Sequence, residues 1–174
     1  MILRTFRSRD PFLLFKAFST YVRPLLDYCS PVWAPVYKSD IELIERVQRS
    51  FTKRLIGFKY LTYDERLRLL HTDSLVLRRL KSDLIMIFKI IHNFVDLNID
   101  DFFGFSNSTV TRGHEFKLCK PFCNNNARQF SFACRRIDIW NSLPANIVNV
   151  PTVNLFKSFL NKVNFNNVLQ LLTE

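Results

Sequence analysis

The sequence predicts a mainly α-helical protein: a compact bundle of several helices, with room for a small two-stranded element near residues 111–130. Apolar residues recur at intervals of three and four along much of the chain, which is the period of an α-helix. Eighteen Phe and only three Gly residues favour packed helices with few flexible connections. The 174 residues are 48% hydrophobic, which is enough apolar material for a core and argues against disorder.

The clearest predicted helix spans Ser39 to Gly57, with the sequence SDIELIERVQRSFTKRLIG. Ser39 or Asp40 suits a helix N-cap, and Gly57 suits the left-handed residue that follows a helix end. The stripe predicted to face the core consists of Ile41, Ile44, Val47, Phe51 and Leu55. A different face carries Arg46, Arg49 and Lys53. That face is either an ordinary solvated surface or one that meets phosphates, and this stretch alone favours neither.

One shorter helix is predicted before the Ser39–Gly57 helix and another after it. Asp10-Pro11 is a helix start, because Pro at the first helical position loses no hydrogen bond, and Pro24 should kink or end that helix. Thr62 and Glu65 have the spacing of a capping box, which predicts a helix through about Leu70.

A longer helix is predicted from about Ser74 to Phe94. Its first turns carry Arg78, Arg79 and Lys81, an unfavourable arrangement for the helix dipole. An acidic partner or a phosphate nearby would relieve it, although solvent screening is the simpler explanation. The last two predicted helices are Gln129–Asn141, ended by Pro144, and an amphipathic helix capped by Thr152.

The net charge is strongly positive and unevenly distributed. Lys and Arg number 25 against 15 Asp and Glu, a formal charge of +10 with a pI near 9.8. The first 90 residues hold 17 basic and 9 acidic side chains, and the remainder 8 and 6. An excess of this kind favours an anionic partner, nucleic acid first and an anionic membrane second, and places the phosphate-facing surface in the first half.

The candidate phosphate contacts are Arg46, Arg49, Lys53, Arg54, Lys59, Arg66 and Arg68. Three aromatic residues, Phe58, Tyr60 and Tyr63, are interleaved with these cations and have the flat faces on which unpaired bases stack. Packing of the same rings against neighbouring helices explains them equally well.

No complete catalytic set is evident, and we expect no cofactor. Asp100-Asp101 is a paired carboxylate of the kind that holds two metal ions, but its place between a helix end and a Gly/Ser-rich loop favours capping or a turn. A window from His114 through Cys119 and Cys123 to Cys134 offers four zinc ligands with irregular spacing. Small buried hydrophobes remain the default interpretation of those cysteines.

The targeting features favour an intracellular protein. Four Cys residues without a recognisable secretory leader are typical of reduced thiols in the nucleus or cytoplasm. The longest apolar run, Leu84 to Val95, contains Lys89 and His92 and is shorter than the roughly 20 residues that span a bilayer. We therefore expect a soluble protein without a membrane partner.

Several segments together resemble one protein family. In chain order they are TYVRPLLDYCSPVWAP, IELIERVQRSFTKRL, LTYDERLRLL, LVLRRLKSDLIMIFKIIHN, TRGHEFKL, IWNSLPANIVN and TVNLFKSFL. From about Leu3 to Lys162 the chain resembles the region after the reverse transcriptase core in non-LTR retrotransposons of the jockey and CR1-like group. The resemblance implies the C-terminal piece of an element's polyprotein, whose helical thumb grips the template–primer duplex through its backbone.

The resemblance also predicts the domain organisation and the partners. Residues 1–95 would form a basic, thumb-like helical part, residues 96–110 a linker, and residues 111–174 a C-terminal helical segment packed on the first part. The implied partners are RNA, DNA or their hybrid, together with the fingers and palm of the polymerase. The resemblance implies a fragment of an RNA-directed DNA polymerase. Since the aromatic-x-Asp-Asp motif of the palm is absent, the chain is predicted to be inactive alone. A helical module that docks on an acidic protein partner, and a degenerate copy without function, remain alternatives.

Overall fold

The structure is a computed structural model that describes residues 2–106, 113–165 and 169. In chain order the elements are α1 (Ile2–Thr5), α2 (Pro11–Tyr21), α3 (Arg23–Asp27), α4 (Lys38–Lys53), α5 (Tyr63–Leu69), α6 (Leu75–Ile91), a 3₁₀ turn (Ile99–Asp101), β1 (Gly104–Phe105), β2 (Leu118–Cys119), α7 (Asn126–Gln129), α8 (Phe132–Arg135), α9 (Ile137–Asn141), α10 (Ala145–Val148) and α11 (Val153–Leu160). The predicted mainly α-helical fold is confirmed.

The small two-stranded element is present. β1 and β2 pair antiparallel, with Gly104 opposite Cys119 and Phe105 opposite Leu118. β2 lies in the stretch predicted to hold this element, residues 111–130, of which the first two residues fall outside the described residues. β1 comes from the stretch predicted as a linker, because a two-residue strand is too short to show a periodic pattern.

Most of the helix start signals act as the sequence predicts, but the predicted cap of α4 is wrong. That helix begins at Lys38 after Tyr37 without a side-chain cap, and Ser39 and Asp40 lie within its first turn. The Asp10 carboxylate accepts hydrogen bonds from the backbone N–H groups of Phe12 and Leu13 at 2.7 and 3.1 Å. The capping box of α5 is complete, since the backbone N–H of Thr62 donates to Glu65 and the backbone N–H of Glu65 donates to the Thr62 hydroxyl. Side-chain caps also begin α6 and α11 at Ser74 and Thr152.

The helix predicted over Gln129–Asn141 is wrong as a single element. α7, α8 and α9 divide this region, with breaks at Phe130–Ser131 and at Arg136. The second break has an electrostatic reason. Adjacent residues of a continuous helix point about 100° apart, whereas the guanidinium groups of Arg135 and Arg136 both bind the buried carboxylate of Asp83. A non-helical backbone at Arg136 allows both to reach it.

Two hydrophobic cores hold the helices. The larger joins α6 to α9, α10 and α11 through Phe88, which stacks on Phe156 with ring centroids 4.2 Å apart, and through the fully buried Trp140. The smaller core packs α2 against the segment after α4, and consists of Leu14, Phe15, Phe18, Leu55, Phe58 and Leu70. α4 lies beside α5 and α6, which places its outer face in solvent.

The buried face of α4 differs from the predicted apolar stripe. Its buried residues are Glu45, Gln48 and Thr52, whereas Val47, expected to face the core, is 40% exposed. Polar side chains are stable inside a protein when each has a hydrogen-bond partner, and these three have them. Glu45 accepts from the backbone N–H groups of Leu75 and Val76, the first two residues of α6, both at 3.2 Å.

Candidate nucleic-acid interface

The exposed side of α4 carries three cations in a row. Arg46, Arg49 and Lys53 occupy positions i, i+3 and i+7, which places them on one helix face, and all three are exposed. At 1.5 Å per residue the row extends for about 10 Å along the helix axis. The buried face of α4, with Glu45 and Gln48, lies about 100° around the helix axis from this row.

The row continues past the end of α4. A groove on the surface is lined by Lys53, Arg54, Leu55, Ile56, Gly57, Lys59 and Tyr60. Gly57, with a φ of +83°, makes the tight turn that returns the chain beside the helix end. Lys53 belongs to both features and so connects them. We call Arg46, Arg49, Lys53, Arg54 and Lys59 together the basic face.

The cations of the basic face are free of carboxylates. Within the described ranges, none of the five forms an ion pair with Asp or Glu, whereas Arg78, Lys81, Lys120, Arg135 and Arg136 all do. Arg49 instead lies over the Tyr63 ring, 5.1 Å from its centroid. Positive charge without an internal counter-ion attracts an external anion.

Arg66 has a role different from the predicted phosphate contact. It is 5% exposed, and its guanidinium donates to the Arg49 carbonyl at 2.8 Å, to the Thr52 hydroxyl at 3.1 Å and to the Thr62 carbonyl at 3.3 Å. Burial lowers the pKa of Arg66 from its ordinary value. Its charge therefore joins α5 to α4 and does not face solvent, which removes this residue from the proposed contacts.

Arg68 is exposed but stands apart from the basic face. It lines a groove between α5 and the start of α6 that also contains Asp64 and Asp73. Hydrogen bonds from Thr62 hold the pKa of nearby Glu65 below its ordinary value, and the charge of Arg68 adds to that effect. A mixed-charge groove is a weaker phosphate site than the basic face.

The three candidate stacking residues lie in different environments in the structure. Phe58 is buried in the smaller core. The Tyr63 hydroxyl donates to Glu45, and burial together with that carboxylate raises the pKa of Tyr63. Tyr60 alone of the three is fully available, at 92% exposed, with the Lys59 ammonium 5.4 Å from its ring centroid.

The four candidate zinc ligands are not gathered into one cluster. Cys123 and Cys134 lie with their sulfur atoms 3.8 Å apart, and Cys119 is exposed on β2. The His114 ring is buried and donates from Nε2 to the Trp140 carbonyl at 3.2 Å. Across the described ranges, no three His, Cys, Asp or Glu side chains come together as a metal site would require.

The paired carboxylates lie in a turn. Asp100 and Asp101 are exposed in the 3₁₀ turn, and the Asn98 side chain caps it by accepting from the backbone N–H of Asp100. The acidic pair therefore has the local turn environment that the sequence favours.

Sequence reasoning missed a group of buried charges around Asp83. Its carboxylate is fully buried and binds Arg135 and Arg136. An Arg-Arg pair inside an otherwise apolar segment is the signal that could have revealed it, because two adjacent cations there need a buried acceptor.

No helix in the part of the chain that the structure describes combines the length and the hydrophobicity needed to cross a bilayer.

Comparison with known proteins finds a relative in a nematode. Over 126 residues the chain is 28% identical to a protein of Caenorhabditis elegans described as "Uncharacterized protein B0403.1", an alignment that covers 70% of this chain and 62% of the relative. The chain thus spans less than two thirds of that protein's length. No family model matches the chain. No solved structure matches it either.

Proposed function

We propose that this chain binds the sugar–phosphate backbone of RNA, DNA or their hybrid through the basic face, as the non-catalytic thumb-like segment of a reverse transcriptase. The observation that carries the proposal is the row of exposed cations on α4 and the adjoining turn, free of carboxylate partners within the described residues. The sequence resemblance to the region after the polymerase core of non-LTR retrotransposons supports the same role.

The arrangement suits binding that tolerates any sequence. Long flexible cations contact phosphates, which carry no base information, and a protein that follows a growing duplex needs this property. Tyr60, at the end of the row, adds a flat exposed ring on which an unpaired base can stack. The five cations of the basic face predict a salt slope of about −4.5 on duplex DNA.

The decisive experiment replaces Arg46, Arg49 and Lys53 together by Ala. Ala favours helix, so α4 is retained. We expect affinity for a hybrid duplex to fall roughly 10- to 100-fold at 0.1 M salt, and the slope of log K against log salt to flatten by about 2.7. Fluorescence anisotropy across a salt series measures both.

A matched control removes the same charge elsewhere. Arg128, Lys157 and Lys162 are exposed and lie outside the basic face, so their triple Ala variant also lowers the net charge by three. We expect it to bind nearly as the parent protein does. Equal losses in the two triple variants would show that overall charge, and not this face, determines binding.

A second candidate function is docking on a protein, such as the fingers and palm of the same polymerase. Exposed apolar side chains around α2 and α3 favour it: Tyr21, Leu25, Tyr28 and Val32 are 65, 75, 74 and 84% exposed. These four residues lie within one short stretch of the chain, and contiguous exposed apolar surface is typical of interaction sites. Partner capture that survives nuclease treatment, with no retention on a nucleic-acid column, would favour docking over nucleic-acid binding. Under either proposal the protein acts inside the cell, in nucleus or cytoplasm.

A further inference from the structure

A separate cavity of about 250 Å³ lies where five parts of the chain meet. The loop after α3, the first turns of α4 and α6, the residue after β2, and the segment from α7 to α9 form its walls. Its lining consists of Ala34, Pro35, Val36, Ile41, Val76, Arg79, Lys120, Gln129, Phe130, Cys134, Arg135 and Arg136. No residue of the basic face takes part.

The charged groups of this wall are all positive. Arg79, Lys120, Arg135 and Arg136 line it, and no Asp or Glu does so among the described residues. Behind the wall, Asp83 binds Arg135 through two contacts of 2.7 and 2.9 Å and Arg136 at 3.1 Å. One carboxylate thus serves two guanidinium groups and leaves a positive excess.

Several guanidinium N–H groups remain available. Arg79 is 5% exposed, and its Nη2 donates to the Leu26 carbonyl at 2.7 Å, but its Nε has no partner within the described residues. Among those residues Arg136 donates only through Nε. A buried donor without an acceptor is unfavourable, so the Nε of Arg79 favours an acceptor supplied from outside. Burial lowers the pKa of both Arg79 and Arg136 from the ordinary value, although the charge of Asp83 acts in the opposite direction on each. The Arg79 guanidinium also lies over the Trp33 ring, 5.2 Å from its centroid.

The rest of the wall is apolar. Pro35, Val36, Ile41 and Val76 supply aliphatic surface, and Phe130 supplies an aromatic ring that is 39% exposed. The volume lies just below the range of about 300–1,000 Å³ typical of small-molecule sites, which excludes a large ligand.

We propose that this cavity binds a small organic anion, with a carboxylate or phosphate group on the guanidinium groups of Arg79 and Arg136 and an apolar body against Phe130 and Val76. Guanidinium groups are suited to this because their planar donor pairs match an oxyanion geometrically. The site does not depend on the proposed nucleic-acid function, since the two share no residue.

The test is calorimetric titration of the full chain with benzoate, hexanoate and inorganic phosphate. Benzoate and hexanoate both present a carboxylate on an apolar body, and benzoate also has a ring that can stack on Phe130. We expect both organic anions to bind more tightly than inorganic phosphate. Inorganic phosphate binding as tightly as benzoate, or no binding of either organic anion, would overturn the proposal.

Paired variants locate the binding. Arg136→Gln should weaken benzoate binding at least tenfold, whereas Arg128→Gln, at an exposed position outside the cavity, should not. Phe130→Ala should weaken it several-fold, and Phe122→Ala, at an 89% exposed ring outside the cavity, should not. Equal effects within either pair would refute the assigned position.

A cavity-filling variant covers the possibility that Arg136→Gln does not fold. Val36→Trp adds bulk at a side chain that is 38% exposed and leaves every charge in place, so it should abolish benzoate binding without changing the thermal melt. Retained binding would overturn the proposal. The triple Ala variant of the basic face should bind benzoate normally, which separates failure of this site from failure of the proposed function.

Discussion

Replacing Glu45 by Gln tests the polar interior of α4. The Glu45 carboxylate is 5% exposed and accepts three hydrogen bonds, from the backbone N–H groups of Leu75 and Val76 at 3.2 Å and from the Tyr63 hydroxyl. It is therefore a negative charge at the amino end of a 17-residue helix, α6, whose own first turns carry Arg78 and Arg79. Gln has the same shape but is neutral, and its amide presents donors where the site needs an acceptor.

The cost of this change follows from the contacts. Hydrogen bonds to a charged group contribute roughly 1.5–3 kcal/mol and neutral ones about 1, and a partly buried charge at a helix end adds up to about 2. We expect the free energy of unfolding to fall by about 2–4 kcal/mol. For a chain of this size the melting temperature should fall by roughly 4–16 °C.

Thermal unfolding followed by circular dichroism measures the effect, with Glu42→Gln as the matched control. Glu42 is exposed on the same helix and has no side-chain hydrogen bond in the described part of the chain. Its replacement should shift the melting temperature by no more than about 2 °C. A double-mutant cycle of Glu45→Gln with Tyr63→Phe should give a coupling free energy of at least about 0.5 kcal/mol. Indistinguishable melts for the two Gln variants would refute the capping role of Glu45.

Two further predictions concern buried titratable groups. Asp83→Asn leaves two largely buried guanidinium groups without their carboxylate, so it should lower the free energy of unfolding by about 3–5 kcal/mol in a urea titration. The control Asp138→Asn, which removes an exposed ion pair, should lower it by less than about 1 kcal/mol. Burial lowers the pKa of His114, whose Nδ1 has no hydrogen-bond partner in the described residues. As the pH falls, the unfolded chain therefore takes up a proton at this histidine at a higher pH than the folded chain does. Stability should therefore fall as the pH drops below about 6.5, and the decrease in urea midpoint between pH 7.5 and 5.5 should be smaller in His114→Gln.

Local signals in the sequence predict where four of the helices begin, because a cap involves residues only two or three positions apart. The exception is α4, which begins at Lys38 without the predicted cap at Ser39 or Asp40. Asp10, Thr62, Ser74 and Thr152 all act as expected. The unfavourable positive charge at the start of α6 could also be predicted, and acidic side chains compensate it in the structure. Glu45 caps the helix, Asp27 pairs with Arg78, and Asp73 pairs with Lys81.

Features that depend on distant parts of the chain could not be predicted in this way. Glu45 and Gln48 read as outward-facing because periodicity assigns polar residues to solvent, yet each is bonded to residues 15 or more positions away. The break at Arg136 has the same origin, since it allows Arg136 to bind Asp83, a residue more than 50 positions earlier in the chain. Tertiary hydrogen bonds override the local pattern wherever a buried polar group needs a partner.

Not every positive side chain of this protein is exposed to an anionic partner. Arg66 and Arg68 are two positions apart on α5, and the chain between them turns through about 200°, so one faces α4 and the other faces solvent. Three oxygen acceptors inside the fold bind the Nε and Nη1 donors of Arg66, and the residue is 5% exposed. The net charge of +10 therefore overstates what a partner contacts, and the proposal assigns the phosphate contacts to the five cations of the basic face. A measured salt slope much steeper than about −4.5 would require phosphate contacts outside that face.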